Sequence, residues 1–150
     1  MVGELSAEEI KEVLMNNPVG HLGCTDGERV YVVPIHFHYE TDAVLCYALE
    51  GQKIDWMRKH PSVCLQVDQI RNTFDWKCVI INGLYEEVTD PGELSDLRPL
   101  YTEYLLRKKV SVTVMPGEQE PSRKIDTTRP QVFFRIRFQQ VSGRYETSYI

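Results

Sequence analysis

Apolar residues change their spacing along this chain in a way that marks its elements. Ile10, Val13 and Leu14 recur at helical spacing behind Ser6. Ser6 and Glu9 have the spacing of a capping box, with Leu5 and Ile10 placed as a hydrophobic staple. Asn16, Asn17 and Pro18 stop this helix. From Val19 the period drops to two. Val19 to Thr25 is short and apolar, and Asp26-Gly27 signals a hairpin turn. Within Arg29 to Glu40, Tyr31, Val33, Ile35, Phe37 and Tyr39 share one face, and Val32, Pro34, His36 and His38 share the other. Pro34 cannot donate to a ladder, so this strand is expected at an edge or with a bulge. Thr41-Asp42 turns the chain into a strand over Ala43 to Leu49.

Gln52 to His60 reads as a second helix, with Ile54 and Met57 inward and Pro61 ending it. Val63 to Asp68 alternates as a strand, Arg71 to Asp75 reads as a polar loop, and Trp76 to Val88 as a long strand bent or bulged at Gly83. A helical segment opens at Asp90-Pro91-Gly92-Glu93, with an apolar stripe of Leu94, Leu97, Leu100, Tyr101, Tyr104 and Leu105. Pro99 is expected to kink or split it. Val110 to Pro130 is polar and shows no clear element. Gln131 to Gln140 is a last strand with Phe134, Ile136 and Phe138 on one face, and Gly143-Arg144 reads as a turn. About six strands in short succession imply antiparallel pairing, hence a mainly β (α+β) fold, a barrel or sandwich with helices outside. At 150 residues this is one domain, 1–150.

Composition narrows the partners. A net charge of -5 argues against nucleic acid or an anionic membrane. No apolar run approaches the ~20 residues of a membrane span, and the start lacks a signal-peptide pattern, so a cytoplasmic protein is expected. Cys24, Cys46, Cys64 and Cys78 each lie in an apolar run with no C-x-x-C pair, and are expected to be reduced and buried.

The junction Gly51-Gln52-Lys53 carries the most chemistry. A lysine in the first turn has the wrong sign for the helix dipole, whereas free N–H groups there suit an anion such as phosphate. A plain helix entry with a solvated lysine is the alternative. His36 and His38 share a strand face and form either a metal-chelating pair, a polar surface pair or donors to a planar ligand; no metal is assigned. Trp76 is either a core residue or a stacking platform, and Lys77 either a second cation for an anion or a surface lysine. Cys46 and Cys78 become nucleophiles only with a base supplied by the fold. No Ser/His/Asp order, G-x-S-x-G or P-loop is present.

Several segments then fall into a recognisable order: Gly20-His21-Leu22-Gly23-Cys24, Tyr31-Val32-Val33-Pro34-Ile35-His36-Phe37, Leu49-Glu50-Gly51-Gln52-Lys53, Arg58-Lys59-His60-Pro61-Ser62-Val63-Cys64, and Trp76-Lys77-Cys78-Val79-Ile80-Ile81-Asn82-Gly83. In this order the chain resembles the pyridoxamine 5′-phosphate oxidase-like, FMN-binding split-barrel superfamily, and within it is most similar to nitroimidazole-resistance-type flavoproteins. The resemblance implies a six-stranded antiparallel split barrel that forms a homodimer, with FMN in clefts between subunits. By position, Gly51, Gln52 and Lys53 would hold the FMN phosphate. Pro34, Ile35, His36 and Phe37 match the strand edging the isoalloxazine, Tyr47 and Ala48 its neighbour, and Trp76, Lys77 and Cys78 the segment reaching the flavin of the other subunit. His36 is the candidate proton donor. Leu45-Cys46-Tyr47 stands where nitroimidazole-resistance proteins often carry a histidine, and only Arg144 stands where the oxidases have an arginine-rich segment. Both departures argue against those two reactions. The resemblance therefore implies an FMN-dependent oxidoreductase acting on a small molecule. The alternatives are a non-enzymatic flavin-binding or storage protein, or a split barrel binding haem or a deazaflavin, with His21, His36, His38 or His60 as a haem ligand.

Overall fold

The computed structural model describes residues 1–108 and 129–148, with the backbone alone over 101–108. In chain order the elements are β1 (Val2–Glu4), α1 (Ala7–Asn16), β2 (Val19–Thr25), β3 (Val30–Tyr39), β4 (Ala43–Leu49), α2 (Gln52–Lys59), β5 (Ser62–Asn72), β6 (Asp75–Glu87), α3 (Pro91–Lys108) and β7 (Gln131–Glu146). Six strands close in the order β7-β4-β3-β2-β5-β6 and back to β7, all antiparallel, and β1 adds to the far end of β7. This is the six-stranded split barrel that the family resemblance implies, with one extra strand; the strand pattern alone left barrel and sandwich open. Among the described residues no helix is long and apolar enough to cross a membrane.

The local signals explain most boundaries. Ser6 caps α1 in a reciprocal box, its Oγ accepting from Glu9 N–H at 3.2 Å and its own N–H donating to Glu9 Oε1 at 3.0 Å. The β2–β3 hairpin turns on Gly27, whose φ of 101° suits glycine, while the Asp26 carboxylate accepts from the N–H groups of Glu28 and Arg29. Gly83 sits at a register shift between β6 and β7, where a Cβ would run into the Arg137 carbonyl oxygen.

Three expectations need correction, and a fourth is narrowed. The segment Arg71 to Asp75 is no loop: β5 runs to Asn72 and β6 starts at Asp75, because Asn72 closes a tight turn by accepting from Phe74 N–H at 2.8 Å. Gly143-Arg144 is no turn either. Both lie inside β7, paired to β6 on one edge and, at Arg144, to β1 on the other. Gly143 is needed there because Leu5 and Ile10 press on it, and an added Cβ would stand 2.8 Å from Leu5 Cδ1. Of the kink or split expected at Pro99, the split does not occur: α3 continues through it, the proline forgoing one hydrogen bond. Finally, Cys24 and Cys46 are buried but Cys64 and Cys78 are half-buried, since their strand positions face outward; all four are free thiols. The stripe residues Tyr101, Tyr104 and Leu105 lie where only the backbone is described, and positions 109–128 lie outside the described residues.

The barrel interior is one core. Leu22, Phe37, Val44, Leu65, Val67, Val79, Ile81, Phe134 and Ile136 fill it. Helix α1 closes it with Val13 and Leu14, and α2 with Ile54 and Met57, all essentially solvent-free. Outside, Leu94 and Leu97 of α3 cover a smaller cluster of Leu45, Val88 and Phe133.

Candidate functional site

The ladders around β3 are unequal. Against β2 it pairs from Val30 to His36, but against β4 only Phe37–Tyr39 pair, with Val44–Cys46. Beyond Phe37 the two strands part, leaving a seam. Backbone direction follows from one bond: Phe37 N–H donates towards β2, to the Pro18 carbonyl at 3.1 Å. Donors alternate sides along a strand, so the even positions Val32, Pro34 and His36 address the seam. Pro34 therefore withholds a donor on the open side, where no ladder rung is lost. The edge role expected of this proline is what the structure shows.

β4 leads from the same seam into α2 through Glu50 and Gly51. Gly51 is the N-cap residue and supplies no side-chain bond to the first-turn amides. Lys53 follows, half-buried. Desolvation pushes its amine below the ordinary lysine value, and the Arg129 guanidinium adds to the shift, while the Cys24 and Cys46 thiols oppose it. Arg129 arrives from the other side. Glu50 N–H donates to the Pro130 carbonyl at 2.9 Å, and the β4–β7 register ends at Leu49 opposite Gln131, so two residues further on Arg129 meets Gly51. A Cβ on Gly51 would stand 3.1 Å from Arg129 Nη2. Two cations thus converge on an uncapped helix start, an arrangement suited to an anion. Sequence reasoning missed Arg129 because it stood in the polar stretch before the last strand; the pairing of Leu49 with Gln131 was the only signal that would have found it.

α2 is held in place by Arg58 in its last turn. The guanidinium donates to Glu50 at 2.6 and 3.0 Å and to Glu87 at 2.7 and 3.2 Å, and Tyr85 Oη donates to Glu87 at 2.7 Å. Arg58 thereby ties the residue before Gly51 to the end of β6.

The other predicted residues divide by side chain. Pro34 is exposed and His36 half-buried at the seam strand, while Ile35, Phe37 and Ala48 turn inward and belong to the core. Only their backbone is available to a ligand. Tyr47 faces the α3 side, its ring 5.3 Å from that of Phe133, with burial raising its phenol. Burial lowers the His36 imidazole below its usual value, so it is neutral at pH 7. Gln52 is exposed at the helix start. Trp76, Lys77 and Cys78 do not join this group: β6 is three strands from β3 around the barrel. Trp76 lies outside both core clusters, and its indole donates to Glu146 at 2.9 Å. Lys77 stands near Glu9 of α1, and Cys78 Sγ accepts from Gln66 Nε2 at 3.3 Å. Cys46 is a poor nucleophile, because burial drives its thiol far up and Glu40 adds to that. Among the described residues no group of three or more His, Cys, Asp or Glu side chains is placed to hold a metal. A separate open groove of about 290 Å³ runs over Gly23, Val30, Cys64 and Asn82 and carries no charged side chain.

The family model of pyridoxamine 5′-phosphate oxidase matches residues 6–145. The chain belongs to the pyridoxamine 5′-phosphate oxidase-like family. A crystal structure of an FAD-binding protein from Mesorhizobium loti is similar to this member at 34% identity, over 99% of this chain and 98% of that one, with a TM-score of 0.77. An uncharacterised protein of Rhizobium meliloti (strain 1021) is 29% identical over 93% of this chain and 92% of its own length. A Bacteroides thetaiotaomicron structure described as a 5-nitroimidazole antibiotic resistance protein shares the fold, with a TM-score of 0.65 at 17% identity over 97% of this chain and 87% of that one.

Proposed function

We propose that the protein is a flavoprotein oxidoreductase whose flavin mononucleotide moiety is held at the seam between β3 and β4. The observation that carries this reading is the convergence of Lys53 and Arg129 on the uncapped start of α2, beside a strand edge without a ladder. The residues fit the group: two cations and free amides suit a phosphate, and Gly51 leaves room where a Cβ would crowd Arg129. A flavin bound there supplies the electron-accepting and electron-donating ring. The 34% identity to an FAD-binding protein supports a flavin as the ligand.

In this reading Lys53 and Arg129 neutralise the phosphate, and Gly51 and Gln52 bring backbone donors to it. The seam edge of β3 at Pro34, Ile35, His36 and Phe37, with Tyr47 and Ala48 of β4, orients the planar ring through the backbone. His36, neutral at pH 7, offers a ring N–H to the substrate side. The protein works as a homodimer in the cytoplasm. Trp76, Lys77 and Cys78 sit on the far side of the barrel from the seam, so they reach a flavin only when supplied by a second copy. The free state of all four cysteines accords with a reducing compartment.

The test is the absorption spectrum of the purified protein, or of the protein after incubation with FMN. Flavin bands that travel with the protein through gel filtration at the mass of a dimer support the reading. A Soret band, or flavin that separates completely from the protein, overturns it. A non-enzymatic flavin carrier is the second reading, favoured by the inward turn of Ile35, Phe37 and Ala48, which leaves the seam with few reactive side chains. Bleaching by NADH or NADPH and reoxidation by an added acceptor separate the enzyme from the carrier.

A further inference from the structure

Building on that assignment of Lys53 and Arg129 to a phosphate, we infer that the chain carries an adjoining subsite for an adenosine 5′-phosphate, formed by Arg29, Trp56 and Tyr31. Trp56 follows Lys53 by three residues on α2, so both lie on one side of the helix, about 4.5 Å apart along its axis. The β2–β3 hairpin rests on the other end of the same helix: a Cβ on Gly27 would stand 3.3 Å from His60 Cε1. That contact brings Arg29 and Tyr31 over Trp56. The Tyr31 ring meets the indole edge-on, with centroids 6.1 Å apart and planes at 71°. The Arg29 guanidinium lies over the indole at 5.2 Å.

The guanidinium is held along one edge by hydrogen bonds. Asp26 accepts from its Nε at 3.0 Å and its Nη2 at 2.8 Å. One face of the guanidinium is against Trp56, yet the side chain is 73% exposed, so its other face is open to solvent. A planar cation fixed in that way continues a stack onto any electron-rich ring, and a purine is such a ring. In FAD the phosphate of the flavin mononucleotide half is joined to that of the adenosine half, so a pyrophosphate on Lys53 and Arg129 would leave the adenine to stack on Arg29, whose partner Trp56 lies about 4.5 Å from Lys53 along α2.

The adenosine can come from two sources: the AMP half of FAD, or a nicotinamide adenine dinucleotide that stacks its adenine on Arg29 while the FMN phosphate keeps Lys53 and Arg129. Calorimetric titration of the flavin-free protein with FMN and FAD, and of the FMN-loaded protein with NADH and NADPH, tells them apart. With FAD as the source, the wild type binds FAD about tenfold more tightly than FMN, and Arg29→Ala removes that preference while leaving FMN affinity unchanged. With a separate dinucleotide as the source, Arg29→Ala weakens NADH or NADPH binding by about tenfold instead. Arg29 is exposed, so its truncation leaves the core intact; Trp56→Phe, which keeps a stacking surface, should hold most of the preference. If FMN binds but Arg29→Ala changes no adenine nucleotide's affinity, or weakens FMN and FAD alike, the adenosine subsite is wrong and the flavin site stands. If neither flavin binds the wild type, both fall.

Discussion

Replacing Lys53 by methionine should separate stability from ligand binding at the seam. In the ligand-free protein the amine is half-buried and shares its surroundings with Arg129, and desolvation first and that neighbour second push its pKa down. The folded protein therefore holds this proton less firmly than the unfolded chain does. Where the unfolded state binds more protons, stability rises with pH, so the lysine burdens the fold below its lowered pKa and the burden lifts as pH climbs towards 10.5. Methionine keeps the length and apolar stem and removes the charge. The flavin-free variant should gain about 1 kcal/mol at pH 7, or about 2–4 °C in melting temperature for a chain of this size. On the proposed phosphate assignment, the same substitution removes a charge-assisted hydrogen bond worth about 1.5–3 kcal/mol. Flavin affinity should drop by about 10- to 150-fold. Thermal melts followed by circular dichroism and calorimetric flavin titration measure the two effects on one preparation. A variant that melts lower than wild type yet binds flavin equally well would refute both the burial argument and the phosphate assignment.

Two further outcomes follow from the framework around the site. Gly83→Ala should destabilise the protein by about 1–3 kcal/mol in urea denaturation, because the new methyl meets the Arg137 backbone and Ile136 Cγ2; unchanged stability would mean the bulge relaxes freely. Arg58→Ala should cost about 1 kcal/mol at pH 7, since it leaves Glu50 and Glu87 facing one another. The Arg58 bond holds the Glu87 carboxyl below its usual range, so this contribution is complete above the ordinary carboxylate pKa and is lost as pH falls through the folded value. A wild-type advantage that persists undiminished in acid would reject that account.

Much of this molecule was legible in the residue pattern because its local rules agree with its fold. Ser6 with Glu9, Asp26-Gly27 and the β3 alternation each have one satisfactory structure, and each adopts it. What stayed hidden depends on contacts distant in sequence. Gly143 reads as a turn until Leu5 and Ile10, far away in the chain, are seen to require a residue without a side chain inside a strand. β1 is three residues long and exists only because β7 offers it an edge. Arg129 joins the candidate site through strand register, which no local motif records. Tyr47 and Trp76 had the right residue type for a binding role, but which side of a strand is covered, by α3 in one case and by nothing from this chain's seam in the other, is decided by the closure of the barrel.

Pro34 has a consequence for self-association. An unpaired strand edge is a template on which another polypeptide can add itself, and the seam between β3 and β4 is such an edge. With Pro34 between them, the backbone donors that address the seam from this stretch are Val32 and His36, four residues apart. A second strand would find a missing rung midway and could not zip along the edge, whereas a compact ligand needs only one or two donors. Restoring an N–H at position 34 would therefore make β3 a better target for strand addition, and a Pro34→Ala protein should aggregate sooner on mild heating than the wild type.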